Sequence, residues 1–176
     1  MNTIFLDIDG VLVTDPEFMR GTYKFQKKYG WAKELRVPYP FNPGCVKIFN
    51  EIIEEINPEI IITSDWKNSW TLKEINSIFF HNGIKCNTIT KNTGVHPLSL
   101  NDLEKNRANE INIYLKENPM SEYIILDDLD LRIYLHDNSK FILTHSNDGL
   151  KRTNLKQKIL KMFNHEQEQE KKYHQG

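Results

Sequence analysis

Three short apolar runs, Ile4-Phe5-Leu6, Ile60-Ile61-Ile62 and Tyr123-Ile124-Ile125-Leu126, each stop at an oxygen-bearing side chain, and segments of helical period lie between them. Alternation of buried strands with helices is the pattern of an open, mainly parallel sheet covered on both faces. The expected fold is therefore α/β, with three layers in a doubly wound arrangement. At 176 residues the chain has the size of one domain, enough to bury roughly two thirds of its unfolded surface.

The elements follow from caps and spacing. Residues 3 to 7 read as the first strand. Asn42-Pro43 caps a helix on which Val46, Phe49, Ile52, Ile53 and Ile56 recur until Pro58. A strand at Ile60 to Thr63 precedes a helix carrying Leu72, Ile75, Ile78 and Phe79, closed by Asn82-Gly83, and a strand is expected at Asn87 to Thr90. Asn101 with Glu104 suggests a capped start for a helix bearing Leu103, Ile111, Tyr114 and Leu115, which ends before Pro119. Strands at Tyr123 to Leu126 and Phe141 to Leu143, and a helix with Leu155, Ile159, Leu160 and Phe163, complete a single domain over residues 1–163. Residues 164–176 read as a polar, frayed tail. Two stretches break the alternation: an insert at about 14–41 and a loop at 91–100 containing Gly94 and Pro97. Ligands of such sheets sit beyond the carboxyl ends of the strands, so both stretches are expected to border a site.

Composition narrows the partners. A net charge of −1, with 39% hydrophobic and 27% charged residues, lacks the basic excess of a dedicated nucleic-acid binder. The two cysteines, Cys45 and Cys86, have no metal-type spacing, and neither a leader nor a run of 18 apolar residues is seen. The expectation is a cytoplasmic protein with no membrane contact and no stable protein partner. The six histidines show no ligand spacing.

The chemistry gathers where strands end. Asp7 and Asp9, two residues apart in Asp7-Ile8-Asp9-Gly10-Val11, point to the same side of an extended chain and repel unless a cation or proton intervenes. A strand-to-turn junction capped by Asp and Gly is the bland reading of that motif alone. Thr63-Ser64 ends the second strand and Asp127-Asp128 the fourth. If strands one and four are neighbours, four acids meet in one crevice. Ligands that are all oxygen favour a hard cation, Mg²⁺ above all, which retains waters and bridges carboxylate to phosphate.

This order of motifs resembles the haloacid dehalogenase (HAD) superfamily of phosphohydrolases over about residues 3–160. Leu-Asp-Ile-Asp-Gly-Val, Thr-Ser-Asp-Trp-Lys, Arg-Ala-Asn-Glu-Ile, Tyr-Ile-Ile-Leu-Asp-Asp and the stretch Thr144 to Leu150 are similar to the phosphatase-like domain of Swiss Army Knife RNA repair proteins. The resemblance implies a Rossmann-like, HAD-like sheet with a small cap insert, and a Mg²⁺-dependent phosphatase acting through an aspartyl-phosphate. It makes Asp7 the nucleophile and Asp9 the general acid and base, with the backbone carbonyl of Asp9 meeting the metal. Asp128 becomes a metal ligand supported by Asp127, and Thr63 a donor to the phosphoryl group, with Ser64 as the fallback. A lysine is usual at the third motif of the superfamily, whereas Arg107 stands here, with Lys105 as its rival. Gly10 and Trp66 join Ser64 and Lys105 as candidate substrate contacts.

Plainer roles compete with these. Arg107 near Glu104 and Glu110 fits surface ion pairs at helical spacing, and Asp65 fits a helix cap. Trp66 and Trp70 fit packing, and Asp130 either supports the site or simply faces solvent. From Arg20 to Arg36 the insert carries six basic residues against Glu34 alone, among Tyr23, Phe25, Tyr29 and Trp31, which suits either a nucleic-acid end or an amphipathic cap helix. The expected substrate is a phosphorylated RNA or DNA end. A small phosphometabolite or nucleotide is the nearer alternative, and a non-catalytic phosphoacceptor or an RNA- or protein-binding domain the more distant one. A response-regulator phosphoacceptor needs an aspartate ending the third strand, and Asn87 to Thr90 has none.

Overall fold

Adjacent residues of each strand face opposite sides of the sheet, and both sides are apolar. In the computed structural model, which describes residues 1–14, 41–94 and 102–163, strands β1 (Thr3–Leu6), β2 (Glu59–Ile62), β3 (Lys91–Asn92), β4 (Tyr123–Asp127) and β5 (Phe141–Leu143) form one parallel sheet in the order β3-β2-β1-β4-β5. Ile4, Leu6, Ile60, Ile62, Ile124, Leu126 and Ile142 pack against helices α1 (Pro43–Ile56), α2 (Leu72–His81) and α4 (residues 155–163). Phe5, Ile61, Ile125 and Phe141 pack against α3 (Leu103–Glu117) and against Leu131 and Leu135. The result is the expected three-layer α/β fold. Phe5, Phe49, Phe79 and Phe163 are fully buried, and each side chain of this kind stabilises the fold by about 1.5–3 kcal/mol.

Local chemistry sets the helix ends. Asn42 accepts hydrogen bonds from the N–H groups of Gly44 (2.9 Å) and Cys45 (3.4 Å). Asn57, at φ 41°, closes α1 by donating its N–H to the Ile53 carbonyl. Thr71 and Glu74 form a capping box at the start of α2. Two expectations shift. The cap of α3 is Asp102, which accepts from Lys105 N–H at 3.1 Å, while Asn101 lies outside the described residues. The third strand is Lys91–Asn92, paired with Ile61 and Ile62, rather than Asn87 to Thr90. The reason lies in Asn76 of α2: its side chain takes both the N–H (2.7 Å) and the carbonyl (2.8 Å) of Ile89, so that segment bonds to a helix instead of a strand.

Beyond β1 the chain turns sharply between Ile8 and Val13. The described chain breaks after Thr14 and resumes at Phe41, and its two ends are fastened together. Asn42 donates its N–H to the Leu12 carbonyl at 2.8 Å and its Nδ2 to Thr14 Oγ1 at 3.0 Å. The expected cap insert, including the basic stretch Arg20 to Arg36, lies outside the described residues, as do 95–100 of the second loop and the 164–176 tail. Among the described residues no helix is long and apolar enough to cross a membrane.

Asn42 thus caps α1 and joins the two ends of the insert. Replacing it with Ala is expected to cost about 1–2 kcal/mol and to lower the midpoint of thermal unfolding by roughly 2–4 °C per kcal/mol, as read by circular dichroism.

Candidate active site

Strands β1 and β4 run side by side with Leu6 opposite Leu126. Their carboxyl ends deliver Asp7 and Asp127-Asp128 to one crevice, where the strand order reverses. Asp7 is held by its own N–H, which donates to the Leu126 carbonyl at 3.0 Å. One carboxylate oxygen from each of Asp7, Asp127 and Asp128 lies within 4.8 Å of the other two.

Gly10 makes this convergence possible. Its φ is 70°, and a Cβ there would stand 2.1 Å from Asp128 Oδ2, so any side chain would displace that carboxylate. The turn is closed by Gly10 N–H donating to the Val13 carbonyl at 2.7 Å and is braced by Leu150 N–H, which donates to the Val11 carbonyl at 3.1 Å. Gly149, at φ 52°, permits that bracing, because a Cβ would lie 2.4 Å from the same carbonyl.

Arg107 is buried at 5% exposure. Its Nη1 lies 3.0 Å from Asp7 Oδ1 and 2.9 Å from Asp127 Oδ2, and its Nη2 lies 3.2 Å from Asp65 Oδ2. The plainer reading of this arginine is therefore corrected. Its partners come from three other segments, and Glu110 instead meets Lys67, with Nζ to Oε2 at 2.9 Å. Lys105 is exposed, and its place near the acids is taken by Arg107. Asp65 is not the cap of the turn that follows it. Ser64 Oγ performs that role for the 3₁₀ turn Asp65–Asn68, accepting from Trp66 N–H at 3.4 Å.

Trp66 is 6% exposed and packs beside Phe41, so it offers no open face to a base. Its indole N–H donates to Asp9 Oδ2 at 2.8 Å. Trp70 is a partly buried packing residue. Asp130 faces solvent, paired with Arg132. Thr63, at the end of β2, is fully buried, and its Oγ1 has no hydrogen-bond partner among the described residues. An orphaned buried hydroxyl is costly and marks a place where a ligand atom can be received.

Negative charge outweighs positive in the crevice, and the acids respond. Loss of water and the nearby Asp7 push Asp128 up to about 6 from 3.8. At the crevice mouth Asp9 reaches solvent, yet partial desolvation and then Asp7 raise it to about 6 as well, against the lowering effect of the Trp66 hydrogen bond. Burial and Asp7 raise Asp127 despite Arg107. For Arg107, burial alone would lower the pKa, but Asp7, Asp127 and Asp65 reverse this and raise it. An all-oxygen donor set with surplus charge fits a hard divalent cation. Within it, Asp127 already accepts from Leu129 N–H on Oδ1 (2.9 Å) and meets Arg107 on Oδ2, which suits a supporting rather than a leading part.

Several participants were not singled out from the sequence. The Lys67 side chain is wholly buried and donates to the Thr63 carbonyl at 2.8 Å, and Thr93 Oγ1 donates to Glu110 Oε2 at 3.3 Å. Their only local signals were the lysine of Thr-Ser-Asp-Trp-Lys and the Arg107-to-Glu110 spacing of three, which puts both side chains on one helix face.

No curated protein and no solved structure matches the chain. One family does, over residues 3–155, with the motifs that converge on this crevice inside the matched span. By that match the chain belongs to the family described as the HAD domain in Swiss Army Knife RNA repair proteins.

Proposed function

We propose that the protein is a Mg²⁺-dependent phosphatase that cleaves phosphoric monoesters through an aspartyl-phosphate on Asp7, with a phosphorylated RNA or DNA end as substrate. The observation that carries this reading is the convergence of Asp7, Asp127 and Asp128 beside the buried Arg107 guanidinium. Kinship with a domain of RNA repair proteins supports the substrate class. Asp7, Asp128 and the backbone carbonyl of Asp9 would hold Mg²⁺, with Asp127 in support. When bound, it supplies charge neutralisation around the phosphoryl group.

The residues divide the remaining work. Arg107 holds one oxygen of Asp7, which fixes the carboxylate so that its other oxygen attacks phosphorus. As the ester P–O bond breaks, protonated Asp9 gives its proton to the leaving oxygen. Asp9, now a carboxylate, then takes a proton from water while the water oxygen attacks phosphorus and the bond to Asp7 breaks. Inorganic phosphate leaves and both carboxyl groups return to their starting forms. A pKa near 6 suits this double duty, because both protonation states are accessible near neutrality. The Trp66 hydrogen bond aims Asp9. Thr63 donates its hydroxyl, which has no partner among the described residues, to a phosphoryl oxygen, with Ser64, whose Oγ accepts from Trp66 N–H, as the fallback donor. Gly10 serves by leaving room for Asp128.

Asp7→Asn is expected to lower phosphate release from an end-phosphorylated oligonucleotide by roughly 10³-fold or more, with the native circular dichroism spectrum retained because Asp127 and Asp65 still pair with Arg107. A folded variant with wild-type turnover overturns the role. Release should exceed that from sugar phosphates; the reverse order points to a small metabolite.

Excess chelator should abolish release and Mg²⁺ restore it. Independently of turnover, Mg²⁺ at pH 7.5 should raise the unfolding midpoint of the wild type but not of Asp128→Asn.

The pH dependence has a definite sign. Asp9 and Asp128 titrate near 6 in the fold against an ordinary 3.8, so between those values the folded chain binds protons that the unfolded chain does not. In metal-free buffer, stability should therefore rise as pH falls from 7.5 through 6, and the rise should shrink in Asp128→Asn. An equal rise in both proteins would contradict the assignment.

A further inference from the structure

A second surface feature, along the edge strand β5, is basic rather than acidic. A groove of about 540 Å³ is lined by Arg132, His145, Arg152 and Lys158 beside the apolar Phe141 and Leu143, and no acidic side chain lines it. It draws on the loop after β4, the edge strand β5 from its first residue, Phe141, to its last, Leu143, and the turn that leads into α4. Net charge for the whole chain is −1, so this concentration of cations is local.

The cations are not all spoken for. From Gly149 to Phe163 the chain carries Lys151, Arg152, Lys156, Lys158 and Lys161 and no acid. Lys156 is committed to Glu51 and Glu55, but among the described residues Arg152 and Lys158 form no ion pair. Arg132 meets Asp130 through Nε and Nη2, which leaves Nη1 outside that pair. Uncompensated cations around a concavity focus positive potential and raise the local concentration of anions.

Position ties the groove to the crevice. Asp127 of β4 lies opposite Leu143 of β5, and Thr144 N–H donates to the Asp127 carbonyl at 2.9 Å. His145 follows directly, so the groove begins one strand away from the acids. Its volume matches ligand pockets of ~300–1,000 Å³, and its cations are spread over three segments instead of converging on one point.

We propose that this groove binds the phosphodiester backbone of a single-stranded nucleic acid whose phosphorylated end enters the acid crevice. The inference deepens the end-phosphatase reading and rests on it for the placement of the terminal phosphate. The backbone contact itself needs neither catalysis nor metal. Charge-assisted hydrogen bonds from Arg152 and Lys158 would neutralise backbone phosphates, with the Nη1 donor of the Asp130-paired Arg132 beside them and His145 at the end nearer the acids.

The test uses the full chain, excess chelator and a fluorescein-labelled single-stranded RNA with hydroxyls at both ends, followed by fluorescence anisotropy. Wild type is compared with the double variant Arg152→Gln/Lys158→Gln, both exposed positions whose replacement should leave the unfolding midpoint unchanged. Affinity at low salt is expected to fall about tenfold or more, and the slope of log K against log salt to flatten by about 1.4, the share of two phosphate contacts at ~0.7 each. Unchanged affinity and slope in the folded double variant overturn the proposal. So does displacement of the RNA by inorganic phosphate as readily as by unlabelled RNA, which would make the groove a simple anion site. Loss of binding to phosphatidylglycerol vesicles with RNA binding intact would assign it to a membrane surface and overturn it equally. Because the probe carries no end phosphate, these outcomes are independent of phosphatase activity. Failure of the end-phosphatase reading would appear separately, as absent phosphate release with the RNA affinity difference still present.

Discussion

A buried guanidinium shared by acids from three segments is the interaction on which the arrangement depends. Arg107 of α3 meets Asp7 after β1, Asp127 at the end of β4 and Asp65 after β2. Desolvating such a group is expensive, and removing one partner of a buried ion pair typically costs 3–5 kcal/mol. Here the cost is offset by several short contacts, and the surplus of carboxylates leaves the crevice short of one more positive charge. The same imbalance that weakens the crevice makes it receptive to a cation, so stability and function pull in opposite directions at this point.

Helix α3 explains how the core supports that interaction. Among the described helices it alone covers the sheet face bearing Phe5, Ile61 and Ile125. Its inward side mixes Ala108 and Ile111 with Arg107, Glu110 and Asn112, all buried, while Leu103 at its start is 54% exposed. Asn112 donates to the Tyr134 carbonyl at 2.9 Å and accepts from His136 N–H at 3.1 Å. Polar groups thus occupy positions that an ordinary amphipathic helix gives to leucine, each satisfied by a partner. Through Glu110 and Lys67 the same helix grips the Thr63-Ser64 corner, so one element sets the places of the arginine and the orphaned hydroxyl together.

Much of this was legible beforehand, for a physical reason. Strand ends announce themselves locally: an apolar run that stops at Asp7, Thr63 or Asp127 states both the element and the chemistry at its end. The neighbouring of β1 and β4 was the condition on which the convergence of the acids rested, and the sheet order meets it, while the match over residues 3–155 agrees with the resemblance seen in the motifs. What escaped were partnerships across the fold. The third-motif reading already set Arg107 against Asp7, 100 positions away, but Glu104 and Glu110 were nearest along the helix and the other partners, Asp65 and Asp127, lie 42 and 20 positions away. Asn87 to Thr90 has the composition of a strand but meets Asn76 first. Gly10 reads as a turn residue, and only the Asp128 carboxylate beside it reveals the steric reason.

The clasp of Asn42 on Leu12 and Thr14 has an evolutionary corollary. Because the two roots of residues 15–40 are already tied, the entropy of closing that loop depends on its length only weakly, about 0.6 kcal/mol for each doubling. Lineages can therefore exchange, lengthen or trim this stretch at small thermodynamic cost while the acids a few residues away stay in register.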